Sequence, residues 1–152
     1  MKHLAVFFLA ASGMMAADFA TGQAARAVIG QPTFTSQFPE SSDAVLGGVG
    51  GLAYANGKLF VVDSNRVAAT PINNRVLIYN VSDFLPRPDD EIPQENPPAR
   101  CPLCVGQASV VLGQEDFTGS DWNIGPSGLR LPTAVASDGI RLAVADTDNN
   151  RV

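Results

Sequence analysis

The chain has 152 residues, 45% of them hydrophobic and only 16% charged, with 14 glycines and 11 prolines. That length suits one domain of ordinary size, the apolar content excludes a disordered acidic tail, and the density of turn residues favours loop-connected strands over a helical bundle. Ten Lys and Arg stand against fifteen Asp and Glu, a formal charge of −5, which excludes the basic footprint of a nucleic-acid-binding protein.

In chain order, Met1-Lys2-His3 is a short basic start, and the apolar run Leu4 to Ala17 follows it. That run is shorter than the roughly 20 residues of a bilayer span. The order of a basic start, an apolar stretch and small residues predicts a helical secretory signal peptide over 1–22, cleaved somewhere between Ala16 and Ala27. An N-terminal membrane anchor is the alternative. Export has a chemical consequence, because His3 is the only histidine. A mature chain without histidine has no Ser-His-Asp or Cys-His nucleophile and no His-ligated metal. Lys58 is then the sole lysine, which leaves little for amine catalysis.

The next block, Val28 to Thr35, reads as a leading outer strand, and Leu46 to Leu52 is a glycine-rich approach to the strand Leu52 to Ala55. That glycine run has neither Gly-x-Gly-x-x-Gly spacing nor a following Lys-Ser/Thr, so a phosphate loop is disfavoured. Asn56-Gly57 supplies two positive-φ positions for a type I′ turn into Lys58 to Asp63, which is a hairpin signature. Arg75 to Asn80, with β-branched and aromatic content, is a third strand. Asn80-Val81-Ser82 fits a glycosylation sequon. Leu85 to Arg100 carries five prolines and several acids, and proline keeps such a segment out of a sheet. With Cys101-Pro102-Leu103-Cys104 it forms a Pro-rich acidic insertion, assigned to 81–108. Ser109 to Gly113 is a further strand. Thr133 to Ser137, Asp138-Gly139 and Ile140 to Asp146 repeat the hairpin device. Trp122, with Phe117, is expected to pack into the loop before Thr133, the alternative being a recognition patch. No stretch of the mature chain shows a sustained helical period.

The chain also repeats itself. Val28-Ile-Gly-Gln-Pro-Thr-Phe-Thr35 returns as Val111-Leu-Gly-Gln-Glu-Asp-Phe-Thr118, with five of eight positions identical at a spacing of 83. Leu59 to Asp63 returns as Leu142 to Asp146 at the same spacing, and Asn73-Asn74-Arg75-Val76 as Asn149-Asn150-Arg151-Val152 at a spacing of 76. The first copy carries the seven-residue difference around Arg66 to Ile72.

The strings Leu-Phe-Val-Val-Asp-Ser…Asn-Asn-Arg-Val-Leu-Ile-Tyr and Leu-Ala-Val-Ala-Asp-Thr-Asp-Asn-Asn-Arg-Val resemble NHL repeats, and the Leu-Gly-Gln-x-Asp-Phe-Thr opening resembles a bacterial exported subtype of that family. The resemblance covers about residues 28–80 and 109–152, and the insertion at Arg66 to Ile72 departs from it. It implies an all-β fold, a β-propeller in which each repeat is one four-stranded blade. Propellers close with about 4–8 blades. The chain accounts for about one and a half: a first blade with its leading outer strand over 28–80, then an outer strand and a truncated second blade over 109–152. The expectation is therefore an incomplete propeller, the N-terminal fragment of a longer frame, with self-assembly of short chains as the alternative.

The motifs that could carry chemistry are few. Cys101 and Cys104 are the only cysteines and, in an exported chain, are candidates for a disulfide. A thiol-redox role is the alternative, although the βαβ setting of such motifs is missing. Asp146-Thr147-Asp148-Asn149-Asn150 opens like a calcium loop, yet Arg151 stands where that loop needs glycine. Asp63, Asn74, Arg75, Asp146, Asn150 and Arg151 are read as scaffolding: an Asp at a strand end accepts N–H bonds across a turn, Asn tolerates left-handed backbone, and each Arg pairs with its Asp. No cofactor and no catalytic residue are expected. The functional expectation is an exported binding or scaffolding module for an unknown protein or glycan, with no nucleic acid and no stable membrane span. The alternatives are the N-terminal part of a metal-dependent propeller lactonase or lyase, and a periplasmic thiol protein.

Overall fold

Asn56 and Gly57 take φ values of 50° and 70°, both in the region a type I′ turn requires. They reverse the chain between β1 (Val49–Ala55) and β2 (Lys58–Asp63), with Ala55 opposite Lys58 and Leu52 opposite Val61. The structure, a computed structural model, describes residues 21–22, 25, 27–64, 72–84 and 106–152. The predicted signal peptide (apart from residues 21–22), the core of the Pro-rich insertion with Cys101 and Cys104, and the extra stretch Arg66 to Ile72 (apart from Ile72) lie outside the described residues.

β3 (Arg75–Asn80) pairs antiparallel with β2 in unbroken register from Asp63–Arg75 to Lys58–Asn80, and β4 (Val110–Leu112) pairs with β3. The result is a four-stranded antiparallel sheet in the order β1-β2-β3-β4. β5 (Pro132–Ser137) and β6 (Leu142–Asp146) form a second, two-stranded antiparallel sheet. Two short 3-10 turns, Val81–Asp83 and Thr147–Asn149, are the only helical elements among the described residues. The fold is all-β, and no helix of the described residues is long and apolar enough to cross a membrane.

The first sheet is apolar on both faces, as the run of buried residues along β2 and β3 requires. Val61, Leu77 and Tyr79 point to one side, where they meet Leu46, Phe84 and Ala108. Phe60, Val62, Val76 and Ile78 point to the other side and are covered by Leu129, Val135, Leu142 and Val144. The second sheet thus caps the first. Each fully buried aliphatic in this sandwich contributes on the order of 1.5–3 kcal/mol.

Several local expectations change. β1 begins at Val49, inside the glycine run, and not at Leu52. The glycine there answers a close approach of two strands: a Cβ on Gly51 would lie 3.1 Å from Ala134 Cα and 3.2 Å from Thr133 O. The second turn is no type I′ copy, since Gly139 has φ 89° but Asp138 is not left-handed. Ser137 pairs with Leu142, and the loop between them is held by Asp138 Oδ1, which accepts from the N–H groups of Ile140 at 2.9 Å and Arg141 at 2.6 Å. The Val28 block forms no strand; Gly30 makes only an isolated parallel bridge to Val45. Its counterpart Val110–Leu112 is a strand because the edge of β3 lies beside it, so this outer strand belongs in space to the first sheet.

Candidate functional site

The repeated polar residues converge on one arrangement, built twice. Asp63 ends β2 with its carboxylate turned back toward the loop before β1. Its Oδ1 accepts from the N–H groups of Gly47 at 3.0 Å and Gly48 at 2.9 Å. Its Oδ2 accepts from Asn73 Nδ2 at 2.8 Å and Arg75 Nε at 2.9 Å, and Arg75 Nη2 lies 2.8 Å away. Two oxygens offer about four lone-pair directions, so the carboxylate is fully engaged. Arg75 spends its remaining donors on the carbonyls of Val45, at 3.0 Å, and Phe117. Neither side chain of the pair is exposed.

The second copy repeats the core of this arrangement with one backbone donor fewer. Asp146 Oδ1 accepts from Arg130 N–H at 2.6 Å, and Oδ2 accepts from Asn149 Nδ2 at 2.8 Å and Arg151 Nε at 2.7 Å. Arg151 then reaches the carbonyls of Ile124, Gly125 and Gly128 at 2.9, 3.0 and 2.7 Å. Asn73 gives its second amide proton to Glu40 O and Asn149 to Asn123 O, two acceptors that lie 83 positions apart. Burial alone would raise the Asp146 carboxyl. The Arg130 N–H, the Asn149 amide and Arg151 outweigh it and hold the group below the usual carboxylate range.

The structure therefore joins Asp63 with Arg75, and Asp146 with Arg151, across strand ends. The two asparagines of each pair divide the work. The first, Asn73 or Asn149, enters the clamp, whereas the second, Asn74 or Asn150, takes a positive φ of 45° or 52°. Asn74 also ties the units together: its Oδ1 accepts from Leu131 N–H at 2.8 Å and its Nδ2 donates to Ser120 O at 3.2 Å. With the Asp146 oxygens committed to three donors, the calcium-like stretch Asp146–Asn150 presents a clamp and a 3-10 turn; among the described residues no group of three or more metal-ligating side chains gathers.

Two recurring features escaped the sequence reading. Gln31 bonds both ways with the backbone of Phe38, at 3.0 and 2.8 Å, and Gln114 donates to Asp121 O at the matching place. Gly30 and Gly113 have φ of 83° and 91°, and a Cβ on them would lie 2.4 Å from Leu46 Cδ1 and 2.7 Å from Leu129 Cδ1. The recurring Gly-Gln dipeptide was the available signal.

Trp122 corrects its expectation of burial: it is 61% exposed, with the Arg130 guanidinium 4.8 Å from its ring centroid. The polar loop that carries it offers no apolar pocket for an indole, and the cation covers one face instead. Phe117 is half-buried and packs on the first core. Beneath this loop an open polar depression of about 420 Å³ is bordered by Glu115, Asp116 and Asp121. Asp116 is held below the usual carboxylate range by the Thr118 hydroxyl, then by the N–H groups of Thr118 and Gly119. Tyr79 is shifted the opposite way: burial raises its phenol well above the ordinary value, against the opposing pull of Arg75. Compared with protein-family models, curated proteins and solved structures, the chain matches none.

Proposed function

We propose that the chain is an exported module of NHL-like propeller blades whose work is binding or scaffolding, the partner being a protein or glycan. The observation that supports this most is the use made of the repeated polar residues. Asp63, Arg75, Asp146 and Arg151 are committed to each other and to backbone groups, so the chemistry that recurs serves architecture. What the two units leave for contact is their loops and the rim of β1, where Tyr54, Trp122, Ile124 and Ile140 are exposed. The packing supports the blade reading as well: the innermost strands β1 and β5 lie directly side by side, and each unit repeats the same bridge, Gly30 to Val45 and Gly113 to Gly128.

The test has two parts. Expression in a secreting bacterial host, with mass spectrometry of the exported chain, should find a new N-terminus between residues 16 and 27; retention of Met1 in the cytoplasm would overturn export. Glycan and peptide arrays probed with the purified chain should give hits that Trp122→Ala or Tyr54→Ala weakens without lowering the melting temperature. Hits that neither variant changes would place binding elsewhere.

A further inference from the structure

The second clamp lacks one donor that the first one has, and the missing group is engaged elsewhere. Asp63 Oδ1 accepts from the consecutive N–H groups of Gly47 and Gly48 at 3.0 and 2.9 Å. Their counterparts 83 positions on are Arg130 and Leu131. Arg130 N–H keeps the role, 2.6 Å from Asp146 Oδ1, but Leu131 N–H crosses to the first unit and donates to Asn74 Oδ1 at 2.8 Å. Leu131 does so with a φ of +45°, whereas Gly48, a glycine that could adopt such a φ freely, does not. A left-handed backbone is disfavoured for leucine, and a residue before proline is pressed further toward extended geometry; the buried Pro132 follows directly. A conformation of this kind persists only where its surroundings hold it. Asn74 is the holder. It is buried, and its own side chain is fixed by Nδ2 bonds to Ile72 O at 3.1 Å and Ser120 O at 3.2 Å.

We propose that Leu131 is a two-position backbone latch between the two units. In the closed position, the one described above, Asn74 holds its N–H and β5 enters beside β1, where a Cβ on Gly51 would lie 3.1 Å from Ala134 Cα. In the open position Leu131 returns to an extended φ, and its N–H joins that of Arg130 on Asp146 Oδ1, as Gly48 joins Gly47 on Asp63. The donor is satisfied in both positions, so the units part at Leu131–Pro132 without stranding an N–H group. Strain at Leu131 favours the open position, and the packing of the second sheet on the first favours the closed one. The junction is therefore a hinge, and a partner that touches both units shifts its balance. The latch depends on the likeness of the two carboxylate clamps, and not on the kind or number of blades.

Asn74→Gly removes the acceptor while tolerating the φ of 45° that position 74 requires. Nuclear magnetic resonance of the labelled full chain then reads Leu131 and Asp146. The φ of Leu131 should turn negative, as seen in its HN–Hα coupling. Its amide should keep its exchange protection within about threefold, whereas a plain tie that loses its acceptor would lose about tenfold or more. The Asp146 carboxyl should titrate at lower pH than in the parent, because it gains a second backbone donor, although its bonds run to Arg130, Asn149 and Arg151 and not to position 74. Loss of the protection, a φ that stays positive, or an Asp146 carboxyl that is unmoved or raised overturns the latch. Leu131→Ile drives the same change from the other side and leaves Asn74 in place, since a β-branched residue is a still poorer occupant of a positive φ. It should lower the Asp146 carboxyl in the same direction, and an unmoved carboxyl in that variant overturns the proposal as well.

Discussion

The two carboxylate clamps are made of the same residue types at nearly the same distances, yet they sit in different surroundings. Asp63 and Arg75 are wholly buried, between a four-stranded sheet and the loops that cover it; Asp146 is 3% exposed, but its partner Arg151 is 37% exposed. The residue types set the geometry: Asn and Arg find the same carboxylate oxygen in both places, although they follow the Asp by 10 and 12 positions in one and by 3 and 5 in the other. Burial sets what those bonds are worth. A desolvated pair is costly to break singly because a lone charge is left behind, whereas a pair open to water is screened and replaceable. The reach of the arginine differs too. Arg75 bonds to Phe117, in the loop leading to the second sheet, while Arg151 bonds only within its own unit.

The largest break in the comparison should come from Arg75→Ala. Stranding Asp63 in the core should cost about 3–5 kcal/mol in denaturant unfolding, whereas Arg151→Ala should cost about 1 kcal/mol or less and show its effect in exchange from β5 and β6. Equal losses would mean that burial is not what separates the two sites. Gly113→Ala comes next. A left-handed non-glycine backbone costs about 1–3 kcal/mol, and the added Cβ also crowds Leu129 Cδ1; a shift in melting temperature reads the sum, and an unchanged one would refute the required geometry.

Acid should loosen the second clamp by a smaller margin. Asp146 is held below the usual carboxylate value, so its contribution is present above that value, about 3.9 in an unfolded chain. It is lost as pH falls through the depressed folded value. The protection of β5 and β6 amides, taken relative to the intrinsic exchange rate at each pH, should therefore fall below about pH 4, and Asp146→Asn should remove that pH-dependent component. Protection in the parent chain that does not change with pH would contradict the assignment. The smallest effect is expected for Trp122→Ala, within about 0.5 kcal/mol, because the indole rests on the surface beneath Arg130. A larger loss would show that the loop depends on that contact.

Much of the sheet architecture was legible because two independent signals agreed. Asn56-Gly57 marked one turn, and the repeat at 83 residues located β6 from β2. The Asp–Arg pairs followed from their places at strand ends. What stayed hidden depended on neighbours distant in sequence. Gly50 and Gly51 read as a loop, since a run of glycine looks the same whether the chain is free or pressed against another backbone. Val28 to Thr35 matched a strand in sequence but had no edge to pair with. Trp122 read as packed, with Phe117, in the loop before Thr133, although the residues around it, from Gly119 to Gly128, are mostly polar or small.

The ends of the long connection between β3 and β4 meet. Ser109 N–H donates to Ile78 O at 2.8 Å, and a Cβ on Gly106 would lie 3.3 Å from Phe84 Cδ1. In topology the connection is a hairpin, however many residues lie between its feet. The closure entropy of such a loop grows only with the logarithm of its length, about 0.6 kcal/mol for each doubling. The β2–β3 connection behaves alike: the first copy carries seven residues more there than the second, and yet Asp63 stands opposite Arg75 as Asp146 stands opposite Arg151. Growth is absorbed in the connections at little cost to the fold, while one residue added inside β2 or β3 would turn the paired side chains beyond it to the wrong face.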